Sequence, residues 1–169
     1  MELMDAIMSR RSIRNYAKKP LSEQDVQDLL KAAMAAPSAG NCQPWHFLVI
    51  NDHAVMDKIP EFHPHAKMLH DASLAIAVCW DREKELADGY GIQDCAAAIE
   101  NILLAAHAKG LGAVWLGIFP REQRINALKK LLGLPENIMP LSVVSIGYPA
   151  ETKPPADRFD ESKIHYNRW

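Results

Sequence analysis

The sequence has no G-x-G-x-x-G following a strand-like run and no G-x-x-x-x-G-K-[ST], so the two familiar phosphate-binding loops are absent. It has no C-x-x-C pair either. Its cysteines, Cys42, Cys79 and Cys95, are odd in number and widely spaced, which fits a reducing compartment. No apolar run approaches the ~18 residues of a membrane helix. The N-terminal "MELMDAIMSRRS" carries Glu2 and Asp5 and lacks the apolar stretch of a signal peptide. These absences predict a cytoplasmic protein with no membrane association. An excess of positive charge is also missing: 19 Lys and Arg stand against 21 Asp and Glu, a formal net charge of -2. Bulk binding to nucleic acid needs a dense basic face, so no nucleic-acid partner is expected.

What is present is an ordinary globular composition, 49% hydrophobic and 24% charged over 169 residues, enough for one domain with a sizeable core. Ser22, with Asp25 three residues on, reads as the cap of an amphipathic helix built on Val26, Leu29, Leu30, Ala33 and Met34 and ended by Pro37. "WHFLVI" (Trp45 to Ile50) and "SLAIAVCW" (Ser73 to Trp80) read as strands, the second interior because it is apolar on both faces. From Gly91 to Lys109 apolar residues recur with a period near 3.6, and Gly110 is a stop. This helix is rich in alanine, which suits close packing, its own symmetry mate included. "GAVWLGIF" (Gly112 to Phe119), "EQRINALKKLLG" and "LSVVSIGY" (Leu141 to Tyr148) read as strand, helix and strand. The alternation predicts a sheet covered by helices on both faces. After Pro149 the chain turns proline-rich and mixed in charge yet keeps His165, Tyr166 and Trp169, rings that need a partner surface.

Against the near-neutral total, "RRSIRNY" places three guanidinia, Arg10, Arg11 and Arg14, around the hydroxyl of Ser12. Guanidinium offers paired donors to phosphate, and Ile13, facing the core, would turn its polar neighbours to one surface. A solvated basic corner after the first helix is the plainer reading of the same residues. "APSAGNCQPWHF" makes a rigid loop in which Asn41 and Gln43 offer donor and acceptor together, enough to read the edge of a heteroaromatic ring; a connecting loop of turn formers is the alternative. His63, His65 and His70 fall close together, but apart from Asp71 no carboxylate or Cys sits at a familiar ligand spacing. No metal is expected there. Cys42 reads as a small buried hydrophobe.

Together these stretches resemble the nitroreductase family of FMN-dependent oxidoreductases. The resemblance runs over nearly the whole chain through "RRSIRNY", "APSAGNCQPWHFLVI", "AKMLHDASLAIAVC", "GIQDCAAAIENILLAAHAKGLGAVWLGIF" and "DRFDESKIHYNRW". It implies an α+β fold, a three-layer α/β/α sandwich with a mainly antiparallel central sheet. One FMN-binding domain would span 1–169, with an extended arm (150–169) swapped across a homodimer and FMN at the interface. By the same resemblance Arg10, Arg11, Ser12 and Arg14 grip the phosphate and reach the polar edge of the ring, Arg14 beside N1 and O2. Arg158, and more weakly Lys153, would clamp the phosphate from the tail. Pro37, Ser38, Asn41 and Gln43 would contact the flavin of the opposite subunit, and Leu116 and Gly117 would lie near its reactive side. Lys67 matches a lysine placed near the nicotinamide or acceptor. NADH or NADPH would give hydride to flavin N5, and a nitroaromatic, quinone or similar small molecule would take the electrons, with no catalytic side chain required.

The chain departs from the larger members in two ways. Only "REKELADGY" remains where they carry a helical excursion over the flavin, which implies an open pocket, and Gly117 stands where some carry an acid. An FMN-binding or redox-sensing protein without efficient turnover is the alternative function. Reductive dehalogenation or flavin fragmentation would call for a lid that the sequence does not supply.

Overall fold

A computed structural model describes residues 1–169. Helix α1 (Leu3–Ser9) leads through an extended stretch into the short strand β1 (Tyr16–Ala17), then helix α2 (Glu23–Met34) and strand β2 (Trp45–Ile50). Two single-turn helices, α3 (His53–Met56) and α4 (Ile59–Phe62), precede strand β3 (Leu74–Asp81) and the long helix α5 (Tyr90–Ala108). Strand β4 (Gly112–Gly117), helix α6 (Glu122–Leu132) and strand β5 (Ile138–Pro149) complete the core.

Local chemistry accounts for the boundaries. The Ser22 hydroxyl accepts from the Asp25 N–H while the Asp25 carboxylate accepts from the Ser22 N–H, a reciprocal cap that starts α2. At the other end of the chain's helical series, α6 stops at Gly133, whose φ of 63° is the left-handed value that ends many helices.

β3 lies between β2 and β5, and β4 and the short β1 each pair with β5, every pair antiparallel. A single parallel bridge, Ser12 to Ala113, adds the segment before β1 to the outer edge of β4. β3 is buried along its whole length. One face, through Leu74, Ile76, Val78 and Trp80, packs against Leu29 and Ala33 of α2 and Ile99 and Ile102 of α5. The other, through Ala75 and Ala77, packs against Met56, Ile59 and Leu128 of α3, α4 and α6. Each large aliphatic side chain so buried contributes about 1.5–3 kcal/mol. The result is the three-layer α/β/α sandwich that the alternating pattern and the family resemblance implied.

Two elements differ from the sequence reading. β5 begins at Ile138, ahead of Leu141, and runs through Pro140. Proline cannot donate to a ladder, and the register slips between Val78 and Cys79, opposite Pro140. β1 was not legible as a strand, because two residues carry no period.

Beyond Pro149 the arm lies extended over the surface, and its rings find no cover: Phe159, Tyr166 and Trp169 are 75%, 83% and 101% exposed. Leu3, Met4, Ile7 and Met8 of α1 are exposed as well. No helix is long and apolar enough to cross a membrane.

Candidate functional site

The arginine-rich segment is held by the two apolar residues within it. Ile13 packs against Gly112, where a Cβ would stand 2.7 Å from the isoleucine methyl, and Tyr16 packs against Gly147. The Ile13 N–H donates to the Ala113 carbonyl at 3.0 Å. The buried Tyr16 hydroxyl donates to the Ile13 carbonyl at 2.8 Å and meets that of Ser145 at 3.2 Å; burial pushes its pKa up. Tyr16 is buried, while Ile13 is half-buried against the core; Arg10, Arg11 and Ser12 are half-buried beside it and Arg14 is exposed, so the segment is less sharply divided between core and surface than the placing of Ile13 predicted.

The start of the arm folds back onto this segment. Lys153 Nζ donates to the Ser12 carbonyl at 2.8 Å, Arg11 donates to the Pro154 carbonyl, and the Arg14 N–H donates to the Glu151 carboxylate at 2.6 Å. That amide, together with Lys153 at 3.2 Å, holds the Glu151 carboxyl below its usual range. Arg10 pairs with Glu100 of α5 at 3.4 Å. The structure therefore gathers Arg10, Arg11, Ser12, Arg14 and Lys153 into one basic cluster. Arg158 is not part of it: it lies exposed in the arm and makes no hydrogen bond or ion pair within the chain.

The Pro37–Gln43 loop is built differently. Gly40, Asn41 and Gln43 all have positive φ, at 58°, 54° and 48°. The Ser38 hydroxyl accepts from the Gln43 N–H at 3.0 Å, and the buried carboxylate of Asp94 on α5 accepts from the Ala39 N–H at 2.9 Å. Asp94 was not singled out in the sequence, although one acid inside an otherwise apolar helical stripe is a detectable signal. Asp94 and Glu100 sit about 120° apart around α5, so the helix presents the loop on one side and the arginine segment on another. Within one chain no hydrogen bond or ion pair joins the loop to the arginine segment.

Leu116 is buried and Gly117 half-exposed at the end of β4. The Gly117 carbonyl receives Arg124 at 2.8 Å and the ring of His63 at 3.0 Å. His63 thus turns inward, whereas His70 pairs with Asp57 at 2.7 Å. No three His, Cys, Asp or Glu side chains are grouped to hold a metal ion. Lys67 is exposed and unbonded, and Cys42 is half-buried and free. A concavity of about 920 Å³ lies elsewhere, between the start of α2, the end of β2 and the turn before β3. Its lining mixes both signs, with Lys18 paired to Asp71 and His70 to Asp57, whereas the basic cluster brings three guanidinia and an ammonium against two carboxylates, Glu100 and Glu151, and is the stronger candidate for an anionic ligand.

Comparison with known proteins identifies the family. The family model described as "Nitroreductase family" matches residues 7–66 and 61–148. A protein of Archaeoglobus fulgidus, provisionally named NADH dehydrogenase/NAD(P)H nitroreductase, is 49% identical over 99% of this chain and 99% of its own. A crystal structure from Bacteroides thetaiotaomicron under the same provisional name superposes with a TM-score of 0.95 at 43% identity, covering 99% of this chain and 98% of that one. A Desulfovibrio desulfuricans structure solved in complex with FMN is 32% identical, with a TM-score of 0.86 over 100% of this chain and 98% of that one. The conclusion from sequence, fold and site together is that the chain belongs to the nitroreductase family.

Proposed function

We propose that this protein is an FMN-dependent oxidoreductase that draws hydride from NADH or NADPH and delivers electrons to a nitroaromatic, quinone or similar small acceptor, donor and acceptor using one site in turn. The observation that carries the reading is the line along the outer edge of β4. The basic cluster sits where Ser12 bridges Ala113, and Gly117 lies about 13 Å further along the strand. Phosphate at one end and a flavin ring toward the other fits that span.

The donor set suits the cofactor. Three guanidinia, the Ser12 hydroxyl and the Lys153 ammonium provide the charge-assisted hydrogen bonds that a phosphate dianion takes, and Arg158 completes the clamp when the arm closes. Arg14 faces the N1 and O2 edge of the ring, where a cation favours the reduced form. The backbone at Leu116 and Gly117 lies against the reactive side. Bound FMN supplies the hydride chemistry at N5; the side chains bind, orient and shield.

A second copy of the chain completes the site. The loop of Pro37, Ser38, Asn41 and Gln43, which makes no hydrogen bond to its own basic cluster, reads the flavin held by the partner. The uncovered Leu3, Met4, Ile7 and Met8 of α1, and the rings of Phe159, Tyr166 and Trp169, supply the apolar surface that a homodimer with a swapped arm would bury. Residues 1–169 then act as one FMN-binding domain, 150–169 being the arm. The three free thiols suit the cytoplasm, and the short stretch from Arg82 to Gly89 leaves the pocket open to varied acceptors.

An anaerobic visible spectrum of the purified protein, before and after NADH or NADPH is added, tests the reading. One FMN per chain that bleaches with nicotinamide supports the reductase. Flavin that stays oxidised favours an FMN-binding or redox-sensing protein, and a chain that takes up no FMN on reconstitution overturns the site.

A further inference from the structure

His63, Arg124 and Gly117 come from three separate parts of the chain and meet at one carbonyl oxygen. His63 is only 2% exposed. Its Nδ1 accepts from the His65 N–H at 3.3 Å, which leaves the ring proton on Nε2, and Nε2 donates to the Gly117 carbonyl at 3.0 Å. Arg124, in the first turn of α6, donates to the same oxygen at 2.8 Å. The guanidinium nitrogen is 3.2 Å from His63 Nε2, so a second cation is opposed there, and the arrangement holds one positive charge.

The edge on which this happens follows from strand alternation. The Ala113 carbonyl accepts from Ile13 on the outer side of β4, and the Ile118 N–H donates inward to Leu141 of β5. Amide groups of alternate residues share a side. Both backbone groups of Gly117 therefore face outward, in line with the basic cluster. Two donors occupy its carbonyl, and its N–H is left turned to the open edge.

We propose that Arg124 and His63 are positioning residues for the flavin: they lock the Gly117 peptide so that its N–H stays directed at the reactive edge of the ring, and Arg124 sets one half-buried positive charge behind it that favours reduced over oxidised FMN. This rests on the reading that FMN lies along β4. It explains why the inward histidine of "HPHAKMLH" meets an arginine of α6, neither of which the phosphate clamp uses.

The test is the midpoint potential of the bound flavin, measured by dye equilibration on the reconstituted holoprotein, beside the dissociation constant for oxidised FMN. Arg124→Gln should keep oxidised FMN within about twofold of wild type. It should weaken reduced relative to oxidised FMN about tenfold, a potential about 30 mV more negative for a two-electron couple. Arg124→Lys keeps the charge but loses the planar fork and should fall between the two. His63→Gln, which can still donate to the carbonyl, should stay near wild type, whereas His63→Leu should move with Arg124→Gln. If Arg124→Gln does not fold, Arg124→Lys and His63→Leu decide. A wild-type potential in every folded variant, with FMN still bound at one per chain, overturns the proposal and leaves the FMN site standing. Failure of the wild type to bind FMN overturns both.

Discussion

The ammonium of Lys153 donates to the carbonyl oxygen of Ser12 at 2.8 Å. The arm is thereby pinned, at its first residues, to the arginine-rich segment near the opposite end of the chain. Replacing Lys153 by Ala removes a donor and a cation from the proposed phosphate clamp. FMN affinity should fall roughly three- to tenfold, about 0.7–1.4 kcal/mol. Thermal stability should barely change, because partly exposed ion pairs contribute little to folding. Quenching of flavin fluorescence on titration into apoprotein reads the loss; an unchanged dissociation constant would remove Lys153 from the site.

Gly112 leaves room for Ile13. A Cβ there would stand 2.7 Å from a methyl of Ile13 and 2.9 Å from its Cβ, too close for either to stay in place. Gly112→Ala should cost about 1–3 kcal/mol, lowering Tm by roughly 2–12 °C for a chain of this size. Adding Ile13→Ala reopens the space, so the double variant should lose less than the sum of the two. Strict additivity in a thermal melt would show that the contact is not what makes Gly112 necessary.

Asp94 ties the Pro37–Gln43 loop to α5. Asp94→Ala leaves the Ala39 N–H without its acceptor and should destabilise by about 1–3 kcal/mol, with weaker FMN binding because the loop loses its anchor. Asp94→Asn keeps an acceptor oxygen and should retain most of the affinity. Urea unfolding and FMN titration of both variants separate the two effects. Equal behaviour of Asp94→Ala and wild type would mean that the loop is held by other means.

Acid should destabilise the fold through two histidines. Burial, then the Arg124 guanidinium, lowers the pKa of His63; burial, then Arg10, lowers that of His107. In the unfolded chain both take up protons near the ordinary imidazole value of about 6.5, and in the fold only at lower pH. The unfolded state thus binds more protons across that interval. Stability is full above about pH 6.5 and declines as the pH falls toward the folded values. His63→Gln should flatten part of this slope and leave the share of His107. Chemical unfolding between pH 7.5 and 5 measures it, and a slope identical to wild type would show that His63 does not titrate on unfolding.

The arm should matter more to assembly than to the core. Truncation after Pro155 removes Phe159, Tyr166 and Trp169, which are largely exposed in their own chain, Trp169 stacking only on His165 of the same arm. Sedimentation should show a weaker dimer, and FMN should be lost with Arg158. A truncated chain that remains as tightly associated as wild type would place the interface on α1 without the arm.

The helices and interior strands were legible because their periods are long enough to read. Ser22 and Asp25 announce α2, the run from Leu74 is apolar on both faces as a buried strand must be, and Gly110 and Gly133 close α5 and α6. The arginine cluster stood out as a candidate anion site because three guanidinia in a nearly neutral chain require an explanation. Lys153 was ranked below Arg158, yet the structure brings Lys153 to the cluster and leaves Arg158 in the arm. Sequence distance carries no information about which turn of an extended tail folds back.

The sequence by itself determined the sandwich, its caps and the composition of the basic segment, since helix and strand periods and capping chemistry act between near neighbours in the chain. Only the tertiary structure decided that Ile13 and Tyr16 seat that segment on Gly112 and Gly147, that Asp94 holds the loop on another side of α5, and that His63 and Arg124 share the Gly117 carbonyl. Each of these joins residues far apart in sequence, and the packing of the two layers against one sheet is what brings them within hydrogen-bond reach.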